Sequence, residues 1–144
     1  MANQIWLVFA LLSAVTAAFV AIFGKIGLKG MDANTATAVR AVVMAIFLVG
    51  IILIQGKLTQ IPSIIKNPDA ITFIILSGVA GAASWLFFYL ALRYGTVSQV
   101  APMERLSVVF AIILAVVFLG EKVSMQTAAG GVIIAVGAIM IALG

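Results

Sequence analysis

The chain contains neither cysteine nor histidine. Their absence removes disulfides, thiol nucleophiles, the commonest metal ligands and the usual general base together. Charge is almost as scarce: 8% of the 144 residues are Asp, Glu, Lys or Arg against 65% hydrophobic, and the mean hydropathy is +1.35. A chain dissolved in water could not cover its surface with so few polar groups. The four acidic residues, Asp32, Asp69, Glu104 and Glu121, stand too far apart in sequence to form an obvious metal-binding or acid/base cluster. No enzyme, cofactor or metal centre is expected. The net charge of +4 does not point to nucleic acid, because basic residues at the ends of membrane spans commonly serve as topology and headgroup anchors.

What the chain does have is five long apolar runs, at 5–24, 34–54, 70–92, 96–119 and 123–144. Each is near the length a helix needs to cross a bilayer. In hydrocarbon every backbone amide needs a partner within the protein, so runs of this length without alternation are helices. The expectation is an all-α polytopic membrane protein of five transmembrane helices, a single domain over residues 1–144 in the lipid bilayer, without a soluble domain or a convincing internal repeat. An odd number of spans puts the two termini on opposite sides. The first run is longer than a typical signal-peptide core and residues 1–4 carry no Lys or Arg, so it is read as a retained helix with Trp6 as an interfacial anchor.

Several helix boundaries are legible. Asn34 is a candidate cap for the second helix, and Asn67 followed by Pro68 combines a capping residue with proline at the first helical position of the third. The connection over 55–68, with Lys57, Pro62 and Lys66, is long enough to lie along the interface. Glu121 follows Gly120 at a helix end beside Lys122 and is read as solvated or capping. Orientation follows the Lys/Arg bias of short loops. One side holds Lys57, Lys66 and Lys122, and the other holds Lys25, Lys29 and Arg93. The two sides tie, which fits insertion both ways and equally a single fixed topology; Arg40 and Arg105 lie nearer the second side and tip the count if they reach its headgroups.

Charges inside spans are costly and mark functional sites by default. Arg40 in the second helix and the adjacent Glu104 and Arg105 in the fourth qualify. Helical neighbours point about 100° apart, so Glu104 and Arg105 do not face each other. Arg40 lies at a similar depth from the same side as Glu104 and is its natural partner, which leaves Arg105 for an anionic or carboxylate-bearing solute. The alternative is a fixed ion pair that sets helix register, with the remaining arginine reaching the headgroups. Pro102 deletes the helical bond to the Ser98 carbonyl, so the fourth helix should kink or start late there, as helices do at transporter binding sites. The competing reading puts Pro102 in the first turn of a helix that follows a polar turn. Trp85 and Tyr89 lie four apart on one face of the third helix, as an aromatic wall for a flat or cationic solute, as core, or, for Tyr89 with Arg93, as a headgroup anchor.

Small residues let helices approach closely in lipid. Ala10, Ala14, Ala17, Ala21 and Gly24 form such a stripe in the first helix, expected to pack within the subunit. In the fifth, Gly130, Gly137 and Gly144 recur every seven residues, beside a strip of Gly131, Ala135, Ala138 and Ala142. The glycine stripe is the candidate dimer interface.

These residues resemble the EamA-like branch of the drug/metabolite transporter superfamily, in a short single-repeat form, over essentially the whole chain. The resemblance rests on Phe23-Gly24-Lys25 closing the first helix, Arg40 early in the second, and the 85–95 segment with Tyr89, Ala91 and Leu92. It rests most specifically on Val100-Ala101-Pro102-Met103-Glu104-Arg105-Leu106-Ser107-Val108-Val109, then Phe118-Leu119-Gly120-Glu121-Lys122 and Gly130-Gly131. It implies a secondary transporter or exporter of small metabolites or drugs in a bacterial or archaeal inner (plasma) membrane. Larger relatives have ten helices in two oppositely inserted halves. A one-half chain with tied loop charges therefore looks like a homodimer of antiparallel subunits working by alternating access. The distantly related small multidrug resistance proteins rely on an acidic residue in the first helix. None occurs here between positions 5 and 24, which leaves Glu104 as the one intramembrane carboxylate able to couple protons. Two classes remain at this stage: a solute transporter whose cavity is lined by Glu104, Arg105, Arg40, Trp85 and Tyr89, and a non-transporting membrane partner or assembly subunit whose charges are structural.

Overall fold

A computed structural model describes residues 5–144. Every regular element among them is helical. Helices α1 (Ile5–Gly27), α2 (Ala33–Ile54), α4 (Pro68–Tyr94) and α7 (Met125–Leu143) are each long and apolar enough to cross a membrane. The fourth span, Val97–Leu119, is made of two pieces, α5 (Val97–Glu104) and α6 (Leu106–Leu119). Between α2 and α4, the 55–67 connection folds as a 3-10 turn (Leu58–Gln60) and the short helix α3 (Ile61–Ile65), which has Pro62 in its first turn. The five apolar runs are thus five helical spans, and the all-α polytopic class holds.

The local chemistry sets the helix ends. Asn67 accepts a hydrogen bond from the Ala70 N–H at 3.1 Å, and Pro68 opens α4 where its missing N–H costs nothing. The second helix differs from the expectation. Its cap is Asp32, whose Oδ1 accepts from the Thr35 N–H at 2.9 Å, while Asn34 lies inside the first turn. Both residue types cap well, and the chain uses the one whose carboxylate also suits the positive helix start. Ser124 caps α7 through the Thr127 N–H, so that helix begins at Met125, two residues later than the apolar run. Gly120 ends α6 in the left-handed region, with φ 66°, where glycine carries no side-chain penalty. Glu121 and Lys122 follow, both exposed.

The chain forms two compact units. One contains residues 27–93, with α2, α3 and most of α4; its buried side chains include Leu28, Ala33, Phe88, Tyr89 and Leu92. The other contains α1 up to Ile26 and residues 94–144, in which α7 packs on α5 and α6. Its buried residues include Ala21, Gly24, Gly131 and Ala138. Elsewhere large apolar side chains face outward, from Phe47 on α2 to Phe118 on α6 and Ile133 on α7. In water such surface would be a liability; in hydrocarbon it is the ordinary exterior.

Candidate functional site

One group of candidate residues lies in the 27–93 unit. Arg40 stands eight residues past Asp32 on α2, and Trp85 stands eight residues before Arg93 on α4. Consecutive spans run in opposite directions, so these equal offsets bring Arg40 and Trp85 to one depth. The Arg40 guanidinium carbon lies 3.5 Å from the centroid of the Trp85 ring and 5.6 Å from that of Tyr89. Trp85 in turn meets Phe88 edge-on at 5.4 Å and Tyr89 at 6.3 Å between centroids. Phe88 and Tyr89 are buried, while Arg40 and Trp85 are half-buried. Leu92, one turn beyond Phe88, is fully buried.

This arrangement changes two sequence readings. Tyr89 does not anchor the helix end at the headgroups, because it is buried in the aromatic cluster; the exposed tyrosine at that end is Tyr94. The cation on the Trp85 face is the protein's own Arg40. A desolvated cation–π contact contributes about 2 kcal/mol. An arginine at the centre of a span costs about 3 kcal/mol or more. The ring thus offsets much of the cost of Arg40 but leaves its charge in place.

At the mouth of this unit the Asp32 carboxylate meets the Arg93 guanidinium at 3.7 Å. Asp32 also accepts from the Thr35 N–H and from the Thr35 hydroxyl at 3.0 Å. These Thr35 hydrogen bonds, and secondarily the Arg93 charge, hold its carboxyl below the ordinary value of 3.8. Sequence reasoning treated Arg93 as a loop charge and gave Asp32 no role. The usable signal was an Asp three residues before a Thr at a helix start.

A second group of candidate residues lies in the unit that contains residues 94–144. Gln99 Oε1 accepts from the Thr96 hydroxyl at 2.9 Å and from its N–H at 3.3 Å, which fixes the start of α5. Pro102 is therefore the sixth residue of a helix already under way, and the first-turn reading is wrong. The break does not come at Pro102 itself. The helix continues through Glu104 and is interrupted at Arg105, where Arg105 N–H donates to the Pro102 carbonyl and Val108 N–H to the Arg105 carbonyl, both at 3.0 Å. An interior proline removes the rung to the Ser98 carbonyl and crowds the preceding turn, and the tighter three-residue bonds at Arg105 come nearly a full turn after it. Glu104 is half-buried and Arg105 exposed at this interruption. Within the unit, neither the Glu104 carboxylate nor the Arg105 guanidinium has a hydrogen-bond or ion-pair partner among the described residues.

Two further contacts fix this unit. Lys25 Nζ donates to the Gly95 carbonyl at 2.7 Å, tying the end of α1 to the turn before α5. On α7 the two small-residue strips separate. A side-chain carbon on Gly131 would stand 3.4 Å from Ile112 of α6, whereas at Gly130 and Gly137 nothing lies within 4 Å. Gly144 would meet the Met140 carbonyl of its own helix at 3.6 Å. In α1 the stripe is buried at Ala21 and Gly24 and exposed at Ala10 and Ala14.

Apolar spans, a broken helix carrying an acid–base pair, and an arginine held on aromatic rings define a multi-pass α-helical membrane protein with polar groups set inside its spans. Such groups are the working parts of solute carriers. The chain belongs to the EamA-like transporter family, whose model matches residues 4–143. It is also similar to the "Uncharacterized transporter in cobO 3'region" of Sinorhizobium sp, at 39% identity over 141 residues, which cover 98% of this chain and 99% of that protein. No solved structure matches it. A transporter role, rather than an enzymatic one, is what these relationships support.

Proposed function

We propose that the protein is a secondary transporter, acting as an exporter of small metabolites or drugs from the cytoplasm across the inner (plasma) membrane. It works by alternating access, as a homodimer whose two subunits insert antiparallel. The whole chain acts as one transmembrane domain. The observation that carries the reading is the fourth span, where an acid and a base meet a break in the helix ladder three residues beyond a proline. A helix that serves only as packing gains nothing from a defect costing about 3 kcal/mol, whereas a carrier uses the freed backbone and the hinge.

The residues assigned to solute and ion binding in this reading are Glu104, Arg105, Arg40, Trp85 and Tyr89, with Glu104 as the carboxylate that couples protons. The dimer contact is the Gly130 and Gly137 stripe continued to Gly144, since close approach of another helix needs an unfilled groove. The equal loop charges on the two sides support dual insertion.

The test uses the absence of cysteine. A single Gly144→Cys substitution is scored in intact cells with a membrane-impermeant thiol reagent, before and after permeabilisation. Labelling of about half the copies before permeabilisation is the outcome expected of dual insertion. All-or-none labelling fixes one orientation and overturns the antiparallel dimer. Solute flux in vesicles, and its loss in Glu104→Gln and Arg105→Gln, separates a carrier from a non-transporting partner subunit.

A further inference from the structure

We infer that Arg40, seated on Trp85, is the binding group for an oxyanion on the transported solute, so that the substrate class is anionic. The inference rests on the transporter reading above and names its substrate. The guanidinium carbon lies 3.5 Å from the Trp85 ring centroid and 5.6 Å from the Tyr89 centroid. Aromatic rings hold a guanidinium through its face and leave the N–H donors at its edge, in the fork that matches a carboxylate or phosphate. Within its unit no hydrogen bond or ion pair engages those donors among the described residues.

The local carboxylate does not serve. Asp32 lies eight residues away on the same helix, about 12 Å of rise, where it caps α2 and meets Arg93. Nor does the site suit a cation. The face of Trp85 that would hold one carries Arg40, and a second positive charge there would meet repulsion in a medium of low dielectric. Trp85 thus positions the arginine and strips water from one side of it, and the anion completes its neutralisation. The same chemistry could be satisfied by a lipid phosphate or by a soluble carboxylate or phosphate, and the arms of the test tell these apart.

The chain has two tryptophans, so Trp6→Phe makes Trp85 the reporter of its own site. Purified Trp6→Phe protein in phosphatidylcholine vesicles is titrated with benzoate, succinate, inorganic phosphate and tetraphenylphosphonium while Trp85 emission is followed. At least one of the three anions should give a saturable change, weakened roughly tenfold or more by Arg40→Gln and partly restored by Arg40→Lys. Arg93→Gln, which removes the surface pair, should leave the response intact and shows that a folded variant can be read. The inference is overturned if none of the anions alters the emission, if the response survives Arg40→Gln, or if it belongs to tetraphenylphosphonium. A change seen only when phosphatidylglycerol is added to the vesicles assigns the anion to lipid and also overturns it. Binding is read here without transport. Anion binding without flux would sink the carrier reading alone, and cation flux without anion binding would sink this inference alone.

Discussion

The Arg40 guanidinium and the Trp85 ring are in van der Waals contact, 3.5 Å from carbon to centroid, within the 27–93 unit. The contact offsets part of the cost of a charge placed roughly 10 Å along α2 from its start. Trp85→Leu should therefore lower the thermal stability of the purified protein by about 2 kcal/mol, and Trp85→Phe by about half that, since a weaker π face remains. Unfolding followed by size-exclusion of heated samples checks the order. Equal losses in the two variants would mean that Trp85 contributes packing rather than a seat for the cation.

Asp32 gives a pH-dependent prediction with a definite sign. Its carboxyl is held below the ordinary value of 3.8 by the Thr35 hydrogen bonds and by Arg93. A group depressed in the folded state stabilises it above the unfolded value and loses that contribution as pH falls through the folded one. Asp32→Asn keeps a good cap but lacks the charge, so it should melt below wild type at neutral pH, with the gap closing below about pH 3.8. Asp32→Ala loses the cap as well and should melt lowest. Raised salt should narrow the Asp32→Asn gap, because Asp32 and Arg93 are about half exposed.

Much of the fold is legible in the sequence, and the reasons are physical. Span number and class follow from hydropathy alone, because lipid forces every long apolar run to be helical. The start of α4 was readable because Asn67 and Pro68 act through the backbone next to them. Asp32 was missed because two good caps, Asp32 and Asn34, lie two residues apart, and residue type alone does not separate them. Arg40 stands out in the sequence by its cost in lipid, but a sequence cannot say whether an intramembrane arginine meets a carboxylate or a ring. Pro102 was expected to mark its own break. The interruption falls at Arg105, three residues further on, where three-residue bonds replace the helical ladder.

The two strips of α7 make opposite predictions. Gly131 faces Ile112 at ordinary contact distance, so Gly131→Ala should be tolerated and Gly131→Leu should cost about 1–3 kcal/mol by overpacking against α6. Gly137 has open space, so Gly137→Leu should leave the subunit as stable as before while reducing cross-linked dimer. Thermal unfolding and cross-linking, read on the same preparations, separate these effects. Loss of stability in Gly137→Leu without loss of dimer would remove the stripe from the interface.

The last prediction concerns the broken span and whether its defect is used. Pro102→Ala restores an N–H that can reach the Ser98 carbonyl, and interior proline costs about 3 kcal/mol against alanine. If the break were a tolerated accident, the variant would be more stable and equally active. If α5 and α6 move about Arg105 during the cycle, the variant should gain stability yet transport more slowly, because the straightened span resists the hinge. Glu104→Gln supplies the complementary measurement. It keeps size and hydrogen bonding but removes the charge, so uptake driven by a pH gradient should disappear while exchange of labelled for unlabelled solute persists. Loss of both activities would make Glu104 part of solute binding, and retention of both would remove it from coupling. Only the combination of a stiffer, slower Pro102→Ala and an uncoupled Glu104→Gln matches a proton-driven hinge at Arg105.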